Sequence, residues 1–73
     1  MAQLTHDEYE RLERAVTRGQ RIIVYRRGTE YVVVPLALGV RGGREVIEAR
    51  NPTTGDAMSL VVEELDSIEM VAR

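Results

Sequence analysis

The chain has 73 residues, one histidine, no cysteine and a net charge of −2. That length suits one domain, positions 1–73, and without thiols neither a disulfide nor a structural zinc site can staple it, so packing or a partner chain must supply the stability. The acidic balance excludes the strongly basic footprint of a nucleic-acid backbone binder. All ten basic residues are nevertheless arginine, a planar side chain suited to interface contacts. Codon bias or adaptation to heat accounts for that usage as well. No apolar run is long enough to span a membrane and no signal-peptide core is present, so a soluble, cytoplasmic protein is expected.

The first element is a helix over about 6–18. Thr5 and Glu8 have the spacing of a capping box, and Leu4 and Tyr9 that of a hydrophobic staple. Asp7 and Glu8 complement the positive end of the helix, and Gly19 can close the other end in a left-handed conformation. Asp7/Arg11 and Glu10/Arg14 are acid–base pairs at i,i+4. The apolar stripe of Tyr9, Leu12, Ala15 and Val16 is narrow, sufficient to dock on a sheet but not to build a bundle.

Strands follow from about 20 to 71. "RIIVYRRGTEYVVVP" holds two β-branched runs around Arg27-Gly28-Thr29 and predicts a hairpin. The second run continues through "VVVPLALGV", where Pro35 and Gly39 predict a bend or bulge. Arg41-Gly42-Gly43 is the next turn. "REVIEAR" alternates, with Ile47 and Ala49 on one face. "NPTTGD" is a dense turn signal. "AMSLVV" places Met58, Leu60 and Val62 inward, "EELD" predicts a 3₁₀ turn, and "SIEMV" is a last short strand. The fold class is mainly β with one N-terminal helix. Its architecture is either a five-stranded SH3-like or Sm-like small barrel or a strongly bent antiparallel sheet.

No catalytic constellation is visible. His6, the sole histidine, lies in an exposed first turn, and Ser59 and Ser67 have no base to serve them. Glu63, Glu64 and Asp66 have the composition of a solvated tight turn. A non-catalytic chain without metal or cofactor is expected. Tyr25 and Tyr31, with Arg26, Arg27, Arg41 and Arg44, could stack on bases and contact phosphates, although cross-strand packing explains the tyrosines without a ligand.

"EYERLERA" (Glu8 to Ala15), a hairpin through Gly28 and "SLVVEELDSIEMV" (Ser59 to Val71) together resemble the Rof family of Rho-termination modulators. Those proteins place a helix ahead of an Sm-like barrel. The helix pattern is matched by Glu8, Tyr9, Leu12, Glu13 and Ala15. The resemblance implies a protein partner such as Rho, met by Asp7, Glu10 and Glu13, with Arg11 and Arg14 interleaved on the same surface. "IVYRRG", "VVPLAL" and "EAR" also follow the layout of WYL domains, Sm-like modules that sense ligands or nucleic acids. The Trp-Tyr-Leu tripeptide is replaced here by Val46-Ile47-Glu48.

A third possibility is self-association. Val32, Val33 and Val34 are consecutive and cannot all face one side of a strand. The narrow helix stripe leaves apolar surface over, so a homo-oligomer is expected, a dimer first, with Val32, Val33, Val34, Leu36 and Leu38 in or near its interface. Protein contact is favoured over nucleic-acid contact because the chain is acidic.

Overall fold

In the computed structural model, which describes residues 3–71, one helix precedes five strands. Helix α1 spans His6–Arg18. Strands β1 to β5 span Ile22–Arg26, Thr29–Arg41, Arg44–Arg50, Ala57–Val61 and Ser67–Met70. A 3₁₀ turn at Val62–Glu64 separates the last two. It begins one residue before the expected "EELD".

The capping box closes. Glu8 N–H donates to Thr5 Oγ1 at 3.2 Å, and Thr5 N–H donates to Glu8 Oε1 at 2.9 Å. Two donors without intrahelical partners are thereby satisfied. Gly19, at φ 63°, ends the helix and donates to the carbonyls of Ala15 and Val16. Leu12 and Ala15 are buried, whereas Tyr9 stands at the margin of the buried stripe. Of the expected i,i+4 pairs, neither Asp7/Arg11 nor Glu10/Arg14 closes; Glu10 lies instead 3.5 Å from His6 Nε2.

The strands form one antiparallel sheet in the order β4-β3-β2-β1-β5. β4 and β5 are the two ends of that order and are not hydrogen-bonded to each other, so the sheet is bent but does not close into a barrel. The bend is built into β2. Its residues from Thr29 to Val33 pair with β1, and those from Val34 to Arg41 pair with β3. Pro35 falls just past the last residue paired with β1. It therefore has a partner strand on one side only, a position where a strand tolerates proline. The register then shifts between Pro35 and Ala37, leaving Leu36 as the extra residue of a bulge. Gly39, also expected to kink the strand, pairs regularly with Val46. Val33, Val34 and Pro35 are buried in succession, which a straight strand would not permit.

Both tight hairpins use two residues at positive φ, as the right-handed twist of paired strands favours. Arg27 and Gly28 join β1 to β2 at φ 52° and 76°; Gly42 and Gly43 join β2 to β3 at 57° and 78°. The β3–β4 loop is organised by Asn51, whose Oδ1 accepts from the N–H groups of Thr53 and Thr54 at 2.8 and 3.2 Å. Leu12 and Ala15 of the helix meet Ile22, Val24, Val33, Ile47, Ala49, Leu60, Val62 and Leu65 in the core. Leu4, Leu38, Met58, Ile68 and Met70 close its margins.

Candidate functional site

Among the described residues no polar or charged side chain is buried. The polar and charged side chains of the described residues are therefore all at least partly exposed. No three His, Cys, Asp or Glu side chains among the described residues gather in a metal-binding group. No described helix is long and apolar enough to cross a membrane.

The helix exposes Asp7, Glu10, Arg11, Glu13 and Arg14, the residues expected to meet a protein partner. They do not form one acidic face. Spacings of three and four place Arg11, Arg14 and Arg18 along one side. Those three arginines line a groove with Gln20, Met70 and Val71. Gln20 fixes the junction, its side-chain amide donating to the Val71 carbonyl at 2.8 Å. Glu10 and Glu13, together with Thr17, line the neighbouring surface, which Arg14 and Arg18 border. The sequence signal for the arginine row was its spacing; its apolar floor comes from the far end of the chain.

The six residues of the nucleic-acid alternative are dispersed. Arg26 lies over the Tyr31 ring, 5.6 Å from its centroid. Tyr25 is on the opposite face of the same strands, because it neighbours Arg26 in β1 and faces Glu30 across the ladder. Its hydroxyl hydrogen-bonds Glu69 Oε1 at 3.1 Å. Burial raises the Tyr25 phenol above its ordinary value of 10.0, aided by that hydrogen bond and by the negative charges of Glu69 and Glu30. A ring between two carboxylates is a poor platform for a nucleic acid, whose phosphates those carboxylates repel. Arg41 and Arg44 flank the other hairpin and are engaged, Arg41 with Glu48 and Arg44 with Glu63 at 2.6 Å. Glu63 and Asp66 of the acidic run are also in use. Asp66 Oδ2 accepts from Gly28 N–H at 3.0 Å, and the Asp66 N–H donates to the Tyr25 carbonyl at 2.7 Å.

The five self-association candidates divide sharply. Val33 belongs to the core and Val34 is buried beside it, so neither is free for a partner. Leu38 is half-buried and borders a groove with Tyr9, Glu13, Val16 and Thr17, where the helix covers it. Val32 and Leu36 remain, 41% and 48% exposed. With Tyr31 at 36% and Val40 at 68%, β2 carries four of the five large apolar side chains that stand exposed among the described residues. Tyr9 is the fifth. Exposed apolar surface is thus concentrated on one strand.

No protein-family model, curated protein or solved structure matches this chain.

Proposed function

We propose that this chain is a non-catalytic binding module of the cytoplasm that engages protein through the exposed apolar residues of β2. The observation that carries the reading is the placement of Val32 and Leu36, which the helix leaves uncovered while it shields Leu38. A bulge holds Leu36 outward, so its exposure is fixed by the backbone rather than by a mobile side chain. Contiguous apolar surface is the usual mark of an interaction site, and Val32 and Leu36 would supply it together with their neighbours on β2. The partner can be a second copy, giving a homodimer, or another protein. The Rof-like form of the proposal names a protein such as Rho and rests on the resemblance of the helix and strand motifs alone, since the sheet is not closed into a barrel. Nucleic acid is the weaker alternative, since Tyr25 lies between carboxylates and Arg41 and Arg44 are paired.

Affinity capture from native lysate, with and without nuclease, tests the reading when wild type is compared with Leu36→Asp. Partners that survive nuclease and are lost with Leu36→Asp support it. Partners lost with nuclease, or indifferent to Leu36→Asp, overturn it. Direct titration with purified Rho tests the Rof-like form.

A further inference from the structure

A second surface, lined by none of the exposed β2 residues, carries three arginines in a row. Arg11, Arg14 and Arg18 lie on one side of α1 and line a groove whose other walls are Gln20, Met70 and Val71. None of the three arginines forms an ion pair among the described residues, although Arg41 and Arg44 elsewhere do. No acidic residue lines the groove. Asp7 shares the side of the row one turn before Arg11, and Glu10 and Glu13 stand on the neighbouring surface that Arg14 and Arg18 border, so acid flanks the row outside the groove while the charged groups lining the groove itself are guanidinium groups alone.

We propose that this groove docks an extended acidic segment of a partner protein, with carboxylates alternating with apolar side chains. Charge complementarity selects the class of ligand. Guanidinium groups pair bidentately with carboxylates, and three unpaired ones in a row attract a segment of opposite sign. The apolar component follows from Met70 and Val71, which are half-buried in the groove and offer contact to small aliphatic side chains. Spacing fits an extended chain. Arg11 and Arg18 are seven helical residues apart, a rise of about 10 Å, which about three extended residues span. Carboxylates at alternate positions then face the row while the intervening side chains point away or toward the strand end. Single-stranded nucleic acid fits less well because no aromatic ring lines the groove to stack a base.

The test is fluorescence anisotropy of the full chain with labelled Glu-Val-Glu-Val-Glu, Lys-Val-Lys-Val-Lys and an oligothymidylate. The acidic peptide is expected to bind at low salt and to weaken at least about tenfold near physiological salt, as exposed charge contacts do. Arg14→Glu with Arg18→Glu should abolish binding, and Arg14→Gln with Arg18→Gln should weaken it, with thermal melts confirming that both variants fold. Leu36→Asp should leave the peptide affinity unchanged. Absence of binding to the acidic peptide, equal binding by the doubly neutralised variant, or tighter binding of the oligothymidylate overturns the proposal. Loss of peptide binding in Leu36→Asp also overturns it, because one surface would then serve both ligands. If the peptide fails while capture through Leu36 persists, the groove alone is refuted and the β2 reading stands.

Discussion

Arg27 holds a left-handed backbone at φ 52°, a conformation that costs a residue with a Cβ about 1–2 kcal/mol. It does so because the first hairpin is a two-residue turn that needs positive φ at both positions, and glycine fills only the second. Asparagine tolerates this region better, so Arg27→Asn is expected to stabilise the chain by about 0.5 kcal/mol and raise the melting temperature. An unchanged or lower melting temperature would show that the arginine stem gives back what the backbone loses. Thr5 is the reverse case, a residue whose side chain satisfies a helix donor. Thr5→Ala should cost about 0.5–2 kcal/mol, and a melt indistinguishable from wild type would contradict the cap. Tyr25 gives a pH signature. Its raised phenol stays protonated in the folded chain where the unfolded chain already ionises. Its contribution to stability is therefore complete below pH 10.0 and is lost as pH rises through the folded value. A phenolate absorbance titration should show this component moving back toward 10.0 in Glu69→Gln and disappearing in Tyr25→Phe.

At the scale of elements, β2 decides the architecture. Its bulge lets one strand serve two partners, with Val33 facing the core on one side of the bend and Leu38 on the other. Deleting Leu36 removes the extra residue and makes Pro35↔Ala49 and Ala37↔Glu48 successive pairs, so Leu38 stays opposite Ile47 but the bulge, and the bend it gives the strand, is lost. The cost should be on the order of 3 kcal/mol, or cooperative unfolding should be lost, whereas Leu36→Ala at an exposed position should cost about 0.5 kcal/mol. Denaturant titration separates the two, and similar midpoints would mean that the fold does not depend on the bend made by the bulge. The helix was legible in the sequence because its signals are local: Thr5, Glu8 and Gly19 act on backbone within a turn. Strand positions were legible for the same reason, through β-branched runs and glycine turns. The openness of the sheet was not, because it depends on whether β4 meets β5, and neither strand carries a local mark of that. The kink was placed at Gly39 as readily as at Pro35, since glycine permits a bulge without requiring one. What fixed it at Leu36 is where β1 stops and β3 starts. The arginine row was visible as a spacing of three and four, but its apolar floor, Met70 and Val71, lies at the opposite end of the chain.

For the whole molecule, the question is how much association the uncovered surface can drive. Val32 and Leu36 are each about half exposed, so covering both would gain about 2–3 kcal/mol per copy, or about 4–6 kcal/mol for a symmetric pair. Association costs at least about 4 kcal/mol in lost freedom of motion. Those two side chains alone therefore give at most a weak dimer. A standard interface takes about 800 Å² from each partner, and this chain exposes 4817 Å² in all. Such an interface would need to reach beyond β2, and Ile23, paired with Val32 on the neighbouring strand and only half-buried, is the next apolar side chain available. The expected behaviour is a monomer at low micromolar concentration that shifts toward a dimer as concentration rises, with Leu36→Asp and Ile23→Asp each returning it to monomer. Sedimentation velocity across a wide concentration range measures this directly. A monomeric mass throughout would mean that β2 awaits a different protein. A tight dimer insensitive to both substitutions would place the interface elsewhere, with the unpaired outer edges of β4 and β5 the next surfaces to test.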